Sequence, residues 1–267
     1  MRVVRLAVPG SVTLLVASAV TGLLTPETVK GLASTPFLTL LLVPLARAAM
    51  FVAGAATVGG VLIGGVLGDE PRALRIGKRS AFAYAGVSAF VALMTLADVL
   101  AAQPWQALNP TMLLSFVTQI DEGRYLMLQV VLGCSTGLML MRIHHRVDAS
   151  FALLLMLVAI ALPGFTGHSA AAASHWLAST TMIAHLVSMN LWVGGVLLLL
   201  VVEQRVTLRS FSALALSCYI VILLSGVANL VTRVGDWNAF WGNPYALVLG
   251  AKVVLLLVLG ALGARQR

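Results

Sequence analysis

Eight runs of apolar residues, separated by short polar or basic stretches, set the pattern of this chain. They cover roughly 3–24, 37–67, 81–102, 125–141, 151–166, 177–202, 211–231 and 246–264. A helix crosses the hydrocarbon core in about 20 residues. The pattern therefore predicts an all-α, polytopic membrane helical bundle of about eight transmembrane helices, built as one transmembrane domain over residues 1–267. The second run is longer than a bilayer requires, so it tilts or protrudes. The first run has a rival reading. Arg2 and Arg5 precede an apolar stretch ending near Ala17-Ser18-Ala19, the shape of a signal peptide with a small-residue cleavage site. Its length suffices to span, and it is expected to remain as the first helix. The longest connection, 103–124, contains a stretch at 109–120 that reads as a short interfacial helix, opened by Asn109 before Pro110.

Composition agrees with the pattern. Hydrophobic residues make up 60% and charged residues 10% of the chain, and the mean hydropathy is +1.00. No polar segment is long enough for a soluble domain. The net charge of +8 does not point to nucleic acid, because the basic residues sit in short loops between apolar runs, where they meet anionic lipid headgroups. One set of ends and loops carries twelve of them, including Arg72, Arg75, Lys78, Arg79, Arg142 and Arg146; the alternate set carries only Lys30, Arg124 and Arg233. That bias predicts both termini on the cytoplasmic side. Cys134 and Cys218 both fall inside apolar runs and read as small buried residues, not as a disulfide.

Polar groups inside the runs are few. Arg47 and Lys252 would each cost a few kcal/mol facing lipid at mid-membrane, so each should face the bundle or snorkel. Asp98 is a candidate partner for either. They either balance charge along a pathway or fix helix register. Asn190 and Asn229 are suited to hydrogen bonds between helices. Trp105, Trp176, Trp237 and Trp241 fall near the expected outer interface, as an aromatic belt does.

Candidate chemistry gathers between 164 and 199. His168 and His175 flank an Ala/Ser-rich turn expected to face outward. His185 lies within the apolar run that follows. Met182, His185 and Met189 are spaced by three and four residues and share one helix face. Each has a plainer reading: surface or hydrogen-bonded histidines, and methionines that fill the core. Thioether and imidazole together select a transition metal, copper and especially Cu(I), over magnesium or calcium. Zinc would normally want cysteine or carboxylate as well. A nucleophile with its base, a phosphate loop and paired carboxylates are all missing from the pattern, so no enzyme is expected.

These residues carry a resemblance. Gly167-His168, then His185-Leu186 and Leu191-Trp192-Val193-Gly194-Gly195, are similar to the copper resistance protein D family of bacterial inner-membrane proteins. So are Phe211-Ser212 with Leu214-Ala215, continuing to Ser225-Gly226, and Trp237 to Trp241 followed by Tyr245 and Lys252. The first half resembles the family in style, with Arg47 followed by Gly59. The resemblance implies a multi-pass protein of the bacterial inner (cytoplasmic) membrane that moves copper. It implies a periplasmic or extracytoplasmic copper-binding partner, and in some fusions a cytochrome oxidase assembly domain. It carries over His168 and His185 as metal ligands. Two alternatives stand beside it: a membrane cytochrome whose histidines ligate haem b, and a noncatalytic assembly factor for a copper oxidase.

Overall fold

The structure, a computed structural model, describes residues 34–143, 145–166, 175–202, 208–234, 240–242 and 244–265. The expected first span, His168, His144 and Trp237 lie outside them. The described elements are helical: α1 (Phe37–Val61), α2 (Pro71–Val99), α3 (Pro110–Gln119), α4 (Asp121–Met139), α5 (Arg146–Ala161), α6 (His175–Val202), α7 (Leu208–Arg233) and α8 (Pro244–Arg265). Five stretches are long and apolar enough to cross a membrane: Phe37–Val66, Pro71–Val99, Arg146–Phe165, Trp176–Val202 and Ser210–Val231. Within α8, Ala246–Ala261 is a shorter apolar helix. Among the expected spans, 125–141 is a helix but not one of the five, because α4 opens on Asp121, Glu122 and Arg124.

Helix α2 begins ten residues before the apolar run predicts. Pro71 sits in its first turn, and the Glu70 side chain accepts from the Arg72 N–H, so the basic stretch 72–79 is already helical. Ala73, Gly77 and Ala81 recur every four residues on the face turned inward. The expected short helix at 109–120 is present as α3. The Asn109 Oδ1 accepts from Thr111 and Met112, and Pro110 follows.

Contacts between residues far apart in the chain give the helix directions. Thr39, near the start of α1, donates to the Ala102 carbonyl just past the end of α2. Tyr125 at the start of α4 stacks on Phe165 just after α5. Thr181 near the start of α6 meets Asn229 near the end of α7. These pairs are antiparallel. By contrast α1 and α6 run parallel, with Gly54 beside Asn190 and Gly59 beside Gly194. All these junctions except the glycine pairs lie at one end of the bundle, the end that carries α3. Trp105, Trp176 and Trp241 are exposed and belong to connections or helix starts at this end.

Glycine on α1 makes the packing possible. A Cβ on Gly59 would stand 2.0 Å from the Gly194 carbonyl oxygen of α6, and one on Gly60 would stand 2.5 Å from the Gly77 Cα of α2. The short π-helical stretch Leu62–Val66 continues α1, with Gly64 against Leu74 and Gly65 against Ala149. α1 thus touches α2, α5 and α6 at backbone distance. α8 reaches the rest through Gly260, which lies against Tyr219 of α7.

Candidate functional site

His185 sits ten residues into α6, about 15 Å along the axis from the helix start. It faces α7, and its Nδ1 lies 3.0 Å from the Ser225 Oγ. The Ser225 Oγ also lies 2.5 Å from the Val221 carbonyl and 3.2 Å from the Ile222 carbonyl. In the tautomer that carries its proton on Nδ1, the ring donates to Ser225 and the Nε2 lone pair is left for a ligand. One turn toward the α3 end, the Thr181 hydroxyl lies 3.4 Å from the Asn229 Oδ1. Asn229 also donates to the Ser225 carbonyl at 2.9 Å. Thr181 and His185 on α6 thus face Ser225 and Asn229 on α7 as two polar rungs, and Asn229 has the interhelical role its sequence position suggests.

Met182 and Met189 stand one turn to either side of His185 on α6, and both are partly buried. His175 is the first residue of α6. It lies about 15 Å along the axis from His185. Among the described residues no three of His, Cys, Asp and Glu gather around a point.

The intramembrane charges are arranged differently from expectation. Arg47 Nη2 pairs with Glu122 Oε1 at 2.8 Å, so its partner is Glu122 and not Asp98. Glu122 belongs to the first turn of α4, so Arg47 lies at the α3 end of the bundle. The early part of α1 projects past that level to pack on the 100–108 connection, which is why eleven residues of apolar run do not bring Arg47 to mid-membrane. Asp98 is exposed at the end of α2, and Lys252 is exposed on α8.

Asn190 faces away from His185. Five residues on, it is turned by about 140° around α6, and it lines a cavity of about 210 Å³ between α1, α2, α4, α5 and α6. Arg47 and Glu122 line one end of it; Tyr84, Gln129 and Asn190 line its interior. Pro163 has no N–H to offer the carbonyl four residues back, Ala159. The Gln129 amide fills that gap at 3.1 Å, and the Tyr84 hydroxyl adds a longer contact at 3.4 Å. Asn190 donates to the Leu186 carbonyl at 2.9 Å. Each amide nitrogen is thereby assigned, because its neighbour is a carbonyl oxygen, and each amide oxygen is left over. Among the described residues, Gln129 Oε1 and Asn190 Oδ1 are buried without a protein partner, and both residues are only 1% exposed. Sequence reasoning missed Gln129 and Tyr84. The available signal was a glutamine in the middle of an apolar run.

A family model described as "Copper resistance protein D-like, N-terminal domain" matches residues 34–176, and "Copper resistance protein D" matches residues 205–267. His185 and Asn190 lie between the two matched segments. The "Copper transport protein CutJ" of Bacillus subtilis (strain 168) is 34% identical over 112 residues, which is 37% of this chain and 21% of that relative. The match thus spans about a fifth of the relative's length. No solved structure matches. The N-terminal-domain model alone covers more than half of the chain. The chain belongs to the copper resistance protein D family.

Proposed function

We propose that the protein moves copper across the bacterial inner membrane, receiving it at the α3 end and passing it into the bundle at His185. The α3 end is then the outward face and both termini are cytoplasmic, as the twelve-to-three bias of basic residues supports. The observation that carries the reading is the His185–Ser225 contact. With the ring proton on Nδ1, the contact holds the ring and leaves Nε2 as the metal donor, the arrangement that outer-shell hydrogen bonds give metal-binding histidines. Met182 and Met189, on the same face, offer the thioethers that Cu(I) favours.

His168 and His175 are the receiving groups, ahead of His185 along the path. Ligands in series suit transfer, because an ion held too tightly does not leave. An extracytoplasmic copper carrier is the natural donor, and copper oxidase assembly is a natural destination. The expected first span, the segments 34–176 and 205–267, and α6 joining them work as one transmembrane unit of eight helices.

The test is metal analysis with an absorption spectrum on detergent-purified protein, wild type beside His185→Ala and His168→Ala. The expected result is copper bound by wild type, weakened at least tenfold by His185→Ala, with no Soret band. Copper binding and uptake unchanged in His185→Ala would refute the route. A Soret band lost with the same histidines would make the protein a cytochrome.

A further inference from the structure

The cavity beside Asn190 is built for a ligand that donates hydrogen bonds. Its deep wall presents two acceptors, Gln129 Oε1 and Asn190 Oδ1, from two different helices, each buried and, among the described residues, without a protein partner. Such atoms are costly to leave unmet in a protein interior. Amide oxygens are hard donors, poorly matched to Cu(I) but well matched to water. At about 30 Å³ per molecule in the liquid, the cavity has room for about seven waters. Its other end is flanked by the Arg47–Glu122 ion pair, whose side chains are 51% and 37% exposed and so stand at the mouth.

We propose that this chamber is a water-filled vestibule of the copper path, gated by Arg47 and Glu122, with Gln129 and Asn190 holding the innermost waters. Its place on the path rests on the copper reading above; its hydration does not. The vestibule brings water into the bundle beside α6, the helix that carries His185 on its opposite side. An ion reaching that depth then sheds its hydration stepwise, instead of all at once in an apolar interior.

Hydroxyl-radical footprinting of the full chain in lipid nanodiscs tests this directly, since radicals form where water is. Met50 and Tyr84 line the chamber, whereas Met94 and Met156 are buried and do not line it. Met50 is expected to oxidise at least fivefold faster than Met94 and Met156, and Tyr84 to be labelled although it is only 2% exposed. The double variant Gln129→Leu, Asn190→Leu removes both unmet oxygens together with the amide bonds to Ala159 and Leu186; the Tyr84 hydroxyl still meets the Ala159 carbonyl, and folding is checked by unchanged protection of Met94 and Met156. It is expected to lower Tyr84 labelling severalfold. Glu122→Gln is expected to raise it at least twofold by weakening the gate. Protection of Met50 equal to that of Met94, or Tyr84 labelling indifferent to the double variant, would overturn the vestibule; labelling indifferent to Glu122→Gln would overturn the gate. Copper uptake into proteoliposomes separates the two readings. The double variant is expected to lose uptake while keeping equilibrium copper binding. A wet chamber with undiminished uptake would remove it from the path, whereas a wild type that carries no copper would sink the copper reading and leave the hydration result standing.

Discussion

Replacing Gly59 by alanine tests the central packing of the bundle. The added Cβ would stand 2.0 Å from the Gly194 carbonyl oxygen and 2.4 Å from its carbon, both backbone atoms of α6. That is about 1.4 Å short of ordinary contact, so the two helices must part or rotate. Overpacking of this kind costs about 1–3 kcal/mol. The same chemical change at Gly86 is the control, since a Cβ there meets nothing within 4 Å. At Gly86 alanine should stabilise by about 0.5–1 kcal/mol through helix propensity alone. The two variants should therefore differ by about 1.5–4 kcal/mol in the same assay. Reversible unfolding by SDS in mixed micelles, followed by circular dichroism, measures that difference. Variants within about 0.5 kcal/mol of each other would refute backbone contact between α1 and α6.

Three further outcomes follow from local geometry. Ser225→Ala removes the hydroxyl hydrogen-bonded to the His185 ring and should weaken copper binding by about 10–100-fold, less than His185→Ala, as read by competition with a chelator. Ala101 holds a left-handed backbone at φ 48° just after α2, where Ala101 and Ala102 donate back to Asp98 and Ala97. Ala101→Gly should stabilise by about 1 kcal/mol, measured by the same SDS titration. Asn109→Ala removes the cap of α3 and should cost about 1 kcal/mol, with faster amide exchange at Thr111 and Met112 as its local signature.

Hydropathy exposed most of the helices because a membrane leaves the backbone few other choices. It fixed helix ends less well. It finds the part of a helix that sits in lipid, and α2 continues beyond that part through Arg72, Arg75, Lys78 and Arg79. The Asn109-Pro110 start of α3 was legible because capping is a local matter. Pairing between helices was not. Arg47 and Glu122 are 75 residues apart, and only the projection of α1 past the bundle end brings them level. The face shared by Met182, His185 and Met189 follows from spacing, but the partner that face meets, Ser225 on α7, depends on how two helices dock. The chamber was invisible for the same reason: Tyr84, Gln129 and Asn190 come from three helices, and each alone looks like an isolated polar residue in an apolar run.

Helix α6 separates two chemistries. Toward α7 it offers imidazole and thioethers, suited to copper; toward α1 and α4 it offers Asn190, suited to water. It is held closely on both sides, by Gly194 against the α1 backbone and by Gly195, where a Cβ would stand 2.1 Å from the Phe211 ring of α7. A helix pinned on both sides roughly one to three turns beyond Asn190 and His185 cannot easily shift one face without the other. Passage from chamber to His185 would therefore proceed by side-chain and water rearrangement around a fixed helix. In that case His185→Ala and Asn190→Leu act on separate faces, and their effects on equilibrium copper affinity should add within about 0.5 kcal/mol in a double-mutant cycle. A coupling of 1 kcal/mol or more, by the same measure, would mean that α6 moves as a lever between its two faces.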